Sequence, residues 1–292
     1  MRHRLGVAIG VLTALLVAVG CGSNTSTQSS KSAVVAAAAK TKQQGSARFA
    51  IKTAAQMGAQ SGAGQSFTVT GRGLFDYKNR RGGMTLNLPA MPGATGGRSP
   101  TQIVFQGLVL YMKSPLFSRL MPGADKPWVK FDLREMGQSL GANMSQLAQL
   151  GQNDPTQSLE YLKAAGHVKE EGKQTIRGVQ TTHYHAVISL EKVASEAPKQ
   201  VAASVKQLIA VSGTKTVPAD VWIDDKGLLR RMHYAYAISG QTLGKSKVAL
   251  TMDLFDFGVS VNVKPPPQGE VTDLTKLMQH AAAGMAAASP TS

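Results

Sequence analysis

The chain has 292 residues, with 32 Lys and Arg against 17 Asp and Glu, so its formal net charge is +15; 42% of residues are hydrophobic and 17% charged. That apolar share excludes a disordered chain, and the lack of repeated apolar runs of about 18 residues or more excludes a polytopic membrane protein. A single Cys excludes an internal disulfide framework and a Cys-based zinc module.

The chain opens Met1-Arg2-His3-Arg4, runs without charge from Gly6 to Gly20, and reaches Cys21 through the small residues Ala18-Val19-Gly20. A charged start, a short apolar segment and a small-residue cleavage site predict a signal peptide over 1–20. Because the one Cys stands directly after that site, Ala18-Val19-Gly20-Cys21 resembles the bacterial lipobox, although the residue three before the Cys is Ala and not the common Leu. The reading predicts lipidation (palmitate and diacylglycerol) at Cys21 and an extracytoplasmic, membrane-anchored protein. Residues 21–45 then read as a flexible tether, polar through Ser32, followed by a short helix from Ala33 to Lys42. About 25 tether residues reach about 25 to 30 Å.

From Ser46 onward apolar residues alternate with polar ones, as strands with one wet face require. Ala47/Phe49/Ile51, Phe67/Val69 and Met84/Leu86/Leu88 are the first such runs. Gly62-Ala63-Gly64 and Gly82-Gly83 read as hairpin turns or bulges. Thr101 to Phe105 and Leu108 to Lys113 read as a hairpin, followed by a strand at Lys126 to Phe131. The period then changes: Leu133, Met136, Leu140, Met144 and Leu147 recur at three and four, which predicts an amphipathic helix. A second helix is expected from Asp154 to Gly166, and a strand pair around Arg177-Gly178. A third helix follows over Glu191 to Val211, then a hairpin around Asp224-Asp225-Lys226-Gly227. The last long strand is Lys247 to Phe257, Pro265-Pro266-Pro267 ends the sheet, and Thr272 to His280 is a terminal helix. Nothing alternates as βαβ. The expected fold is α+β, a mainly antiparallel sheet with a few helices on one face, forming one domain over 46–280 with a flexible tail at 281–292.

Few residues invite chemistry. Gly137-Gln138-Ser139-Leu140-Gly141 matches G-x-S-x-G, but it falls inside a helical period and not at a strand-to-helix turn. Ser212-Gly213-Thr214-Lys215 matches S-x-x-K without its partner motifs and reads as a loop. His183 and His185 share one face of a strand, with no neighbouring Cys, Asp or Glu in sequence to complete a ligand set. Asp224-Asp225 reads as turn chemistry. No catalytic residue, metal or cofactor is predicted. The basic residues are spread along the chain, and outside the membrane their counterpart is anionic lipid rather than nucleic acid.

A resemblance rests on four stretches: Leu110-Tyr111-Met112-Lys113 with Lys126-Pro127-Trp128-Val129-Lys130-Phe131-Asp132; Gly178 to Tyr184; Val221-Trp222-Ile223 through Gly227 to Arg231; and Asp256-Phe257-Gly258 with Pro265-Pro266. Together they resemble the LppX/LprG-type lipoproteins of actinobacteria, a group similar in architecture to LolA and LolB. The resemblance implies a curved half-barrel whose concave apolar face is covered by helices and holds an acylated lipid or glycolipid. It implies a cavity lined by Phe49, Ile51, Phe67, Val69, Met84, Leu86, Ile103, Phe105, Leu110 and Met112 on the sheet, and by Met136, Leu140, Met144 and Leu147 on the covering helix. The function expected is non-catalytic lipid carriage at the cytoplasmic membrane, with an envelope transport protein as a further partner. The alternatives are an accessory or sensory lipoprotein acting through protein partners, and an envelope hydrolase using Ser139.

Overall fold

A computed structural model describes residues 23–58, 66–89, 99–115, 123–132, 134–135, 165–197, 199–240 and 244–277. Its elements are α1 (Ser23–Gln43), β1 (Ser46–Gln56), β2 (Ser66–Asp76), β3 (Arg81–Leu88), β4 (Ser99–Gln106), β5 (Val109–Lys113), β6 (Trp128–Asp132), β7 (Ala165–Ile176), β8 (Val179–Ser189), α2 (Leu190–Glu196), α3 (Lys199–Ser212), β9 (Thr216–Asp224), β10 (Leu229–Gly240), β11 (Gly244–Phe255) and β12 (Val271–Asp273). The twelve strands form one sheet in the order β12-β6-β5-β4-β3-β2-β1-β11-β10-β9-β8-β7. Two antiparallel meanders, β1 to β6 and β7 to β11, therefore meet where β1 pairs with β11. The sheet is large, open and curved, an α+β fold as the sequence predicts.

Local chemistry sets the turns. Arg177 and Gly178 both take positive φ (50° and 81°), the two-residue loop whose twist suits a hairpin. At the β9–β10 turn, Asp224 Oδ1 accepts from the backbone N–H of Lys226 and Leu228 at 3.0 and 2.8 Å, and Oδ2 accepts from Arg230 Nε at 2.7 Å. This is the turn role expected of Asp224.

Direct cross-strand partners share a face, so the register defines two. Phe49, paired with Leu254 and Gly73, lies on the face that also carries Met84, Ile103, Leu110 and Val129. Helix α1 packs on this side through Val34, Ala37 and Ala38, α2 through Val193 and α3 through Val205, so we term it the helix face. The hydroxyl of Thr41, at the end of α1, accepts from the backbone N–H of Leu229 at 2.9 Å, where the β9–β10 register shifts. That bond satisfies a buried donor that an irregular ladder leaves over.

The opposite face is crossed by residues 256–270. Gly258 N–H donates to Ser46 O, the Ser46 hydroxyl donates to Val259 O, and a Cβ on Gly83 would meet Val263 at 3.4 Å. We term this the strap face. Beyond the strap the chain adds β12 parallel to β6.

Four expectations are corrected. Residues 23–32, read as tether, are the first half of α1, and because Val34, Ala37 and Ala38 belong to the core the folded unit begins before residue 46. Gly82-Gly83 are interior to β3, and the turn is at Tyr77–Arg80. The third helix is two, separated at Ala197, which is extended (φ −80°, ψ 157°) ahead of Pro198 as pre-proline residues prefer. The prolines do not end the sheet, since β12 follows them and takes Thr272 and Asp273 from the expected terminal helix, with a helical turn at 274–277. The expected helix at 133–147 lies outside the described residues except Arg134 and Glu135, which are helical; the one expected at 154–166 lies outside them except Ala165-Gly166, which open β7 and are not helical.

Candidate functional site

The helix face of the first meander is built by alternation alone. The sheet residues of the predicted lining, Phe49, Ile51, Phe67, Val69, Met84, Leu86, Ile103, Phe105, Leu110 and Met112, all fall on it by register. Met136, Leu140, Met144 and Leu147, like Cys21 and Ser139, lie outside the described residues.

This surface holds no charge. Across β1 to β6 every charged side chain, Arg48, Lys52, Arg72, Asp76, Arg81, Lys113, Lys130 and Asp132, takes the strap-face parity, and the polar helix-face positions are Thr53, Ser99 and Thr101. Glycines shape it further. A Cβ on Gly73 would stand 2.5 Å from the Phe49 ring, and one on Gly82 would stand 2.5 Å from Phe105. The two phenyl rings therefore lie against the backbone, where any larger residue would displace them. Phe75 joins them, 5.3 Å from Phe105 and edge-on to Tyr77 at 5.1 Å.

Burial is uneven. Phe49, Ile103 and Phe105 are buried, Ile51, Met84, Leu86, Leu110 and Met112 are partly buried, and Phe67 is 38% exposed. The register extends the face into residues that sequence analysis did not single out: Met252 and Leu254 on β11, Met232 and Tyr234 on β10, and Val221 on β9. Their alternation was visible, but not their pairing with β1.

The strap face carries the polar chemistry. His183 Nε2 and His185 Nδ1 both contact Asp220 Oδ1, at 2.9 and 2.8 Å, and the His183 ring stacks on Trp222 at 4.4 Å. Trp222 Nε1 donates to Gln174 Oε1 at 2.7 Å. Burial alone would raise the Asp220 pKa, but the hydrogen bonds from His185 and His183 outweigh it and hold the carboxyl below its ordinary range. Asp220 is the acid that the sequence around the histidines lacked; it arrives from β9, and only strand pairing could reveal it. The imidazoles aim at this one oxygen, and among the described residues no group of three or more His, Cys, Asp or Glu is placed to hold a metal ion.

Two cavities lined by described residues border this sheet. One of about 400 Å³ lies at the Pro100 end of β4, beside Gln102, Lys113 and Lys126. The other, about 550 Å³, lies on the strap face under Arg48, Arg72 and Arg177. The larger cavity is thus lined mainly by strap-face residues, although Phe49, Met84 and Ile103 of the uncharged face also border it. Among the described residues no helix is long and apolar enough to cross a membrane.

No family model matches the chain. An uncharacterized 31.2 kDa protein from the rplA-rplJ intergenic region of Streptomyces griseus is 26% identical over 167 residues, 54% of this chain and 52% of that one. A putative lipoprotein of Streptomyces coelicolor is 24% identical over 155 residues, 52% of this chain and 44% of that one. The chain thus spans about half the length of these curated relatives. Among solved structures it is similar to LprF from Mycobacterium bovis (13% identity, TM-score 0.44, covering 82% of this chain and 97% of that one) and to the lipoprotein LppX of Mycobacterium tuberculosis (16%, TM-score 0.45, 81% and 99%). LppX is a lipoprotein of the group that the sequence resembles.

Proposed function

We propose that this protein is a lipoprotein of the actinobacterial envelope, anchored to the outer face of the cytoplasmic membrane through Cys21, that carries an acylated lipid or glycolipid without catalysis. The observation that carries this reading is the segregation of charge: one face of β1 to β6 is uncharged over its whole width, and several of its large side chains are only partly buried. Such a surface gains by covering itself with acyl chain, at about 0.8 kcal/mol for each CH₂ removed from water, so one long chain suffices for tight binding.

Met84 and Met112 are unbranched and polarizable, which suits a surface that repacks around chains of different length. The helical spacing of Met136, Leu140, Met144 and Leu147 supplies a second apolar wall from sequence. Cys21 stands two residues ahead of α1, which favours an anchor close to the sheet over one at the end of a long tether. Release then requires a membrane or an envelope transport protein to take the chains.

Native mass spectrometry of the protein purified from an actinobacterial host, with extraction of what copurifies, tests this. A stoichiometric acylated lipid is the expected result. A lipid-free mass that stays unchanged after incubation with envelope lipid contradicts carriage and leaves an accessory role through protein partners.

A further inference from the structure

The groove of about 550 Å³ on the strap face has three arginines in its lining, Arg48, Arg72 and Arg177, and no carboxylate. From this we infer a second binding site, distinct from the apolar helix face, for a phosphate group carried on a partly apolar molecule.

The three arginines come from different parts of the fold. Arg48 and Arg72 are diagonal neighbours on β1 and β2, since Arg72 pairs with Ala50. Arg177 comes from the β7–β8 turn, and its guanidinium lies over the Phe255 ring at 4.0 Å. A guanidinium laid flat on a ring keeps its in-plane N–H groups for an acceptor at the edge, and its fork matches phosphate oxygens. Nearby acids neutralise the site only in part, since Arg48 and Arg177 each have an ion pair and Arg72 has none among the described residues. Asp253 is held by Arg231 in a two-point contact at 2.6 and 2.9 Å, leaving Arg177 at 3.8 Å. Arg48 meets the exposed Asp256 at 3.6 Å, and Arg72 has no ion pair among the described residues. Leu74, Val104 and Val263 supply apolar wall beside the charges, more than a bare anion needs.

The site is opposite the uncharged face, so its failure and the failure of lipid carriage are separate results. The phosphate could belong to a lipid headgroup or to a soluble compound. Calorimetric titration with inorganic phosphate, and flotation with phosphatidylcholine vesicles with and without phosphatidylglycerol, distinguish the two. Arg72→Gln is expected to weaken binding about tenfold or more, while Lys78→Gln, the same charge change in the β2–β3 turn, leaves it unchanged. Thr85→Glu, which sets a carboxylate opposite Arg72, gives the same loss should Arg72→Gln fail to fold. Loss of phosphate titration in the groove variants assigns a soluble ligand, and loss of vesicle binding alone assigns a headgroup. Equal weakening by Arg72→Gln and Lys78→Gln, or no binding of either probe by the unmodified protein, overturns the inference.

Discussion

The two meanders share one face and use it differently. From β7 to β10 the helix face lies under α1, α2 and α3, and Ala186, Ala219, Val221, Leu229 and Met232 are buried there, with Tyr184 and Tyr234 partly buried beside them. From β1 to β5 the same face continues with larger side chains, Phe, Met, Leu and Ile over glycine, and much of it is only partly buried. The half under the helices is the more fully packed, and the other is an apolar surface with more capacity left. Identical strand chemistry can serve stability or binding, and the elements laid on the sheet decide which.

The largest effect should come from the half under the helices. Leu229 is 0% exposed, so Leu229→Ala should cost about 2 to 5 kcal/mol in urea unfolding while leaving acyl binding by the folded fraction intact. A loss below 1 kcal/mol, or a loss of binding at full stability, would blur the contrast between the halves. In the other half, Gly82→Ala forces Phe105 off the sheet and should cost about 1 to 3 kcal/mol. It should also weaken binding of a fluorescent fatty acid, because the displaced ring enters the surface that the ligand would cover.

Met84→Gln should do the reverse of Leu229→Ala. Met84 is partly buried, so the change should cost about 1 kcal/mol or less in stability yet reduce acyl affinity several-fold. Unchanged affinity would move the binding surface elsewhere.

How far the sequence carried these distinctions depended on range. Period-2 alternation grouped Phe49 with Ile51, Phe67 with Val69 and Met84 with Leu86 within their strands, because the physics that writes that pattern is local, whereas the register that puts all ten on one face is not. The Arg177-Gly178 and Asp224–Gly227 turns were equally local. Gly82 was misread as a turn because the reason for it is the Phe105 ring from the next strand. Residues 23–32 were misread as tether because they carry no apolar period, and α1 is held by the packing of Val34, Ala37 and Ala38 further along. Pro198 was a visible break signal inside the expected third helix. Asp220 and β12 were illegible, since their partners, the histidines and β6, are made neighbours only by the sheet.

The smallest effect is a pH dependence on the strap face. Asp220 has a folded-state pKa below its ordinary value of about 3.9, so its stabilisation is present above that value and is lost as pH falls through the folded pKa. Asp220→Asn should therefore cost about 1 kcal/mol at neutral pH, and the gap to the parent protein should close below about pH 3.9. A gap that persists unchanged at lower pH would mean that packing, not charge, is what Asp220 supplies.

The division between the halves is tested most directly by light-driven crosslinking of a fatty acid carrying a diazirine in its chain, with the attachment sites located by peptide mass spectrometry. Adducts concentrated on β1 to β5, at residues such as Met84, Leu86 and Met112, are the predicted result. Adducts concentrated on β9 to β11, or spread evenly over both faces, would contradict the account.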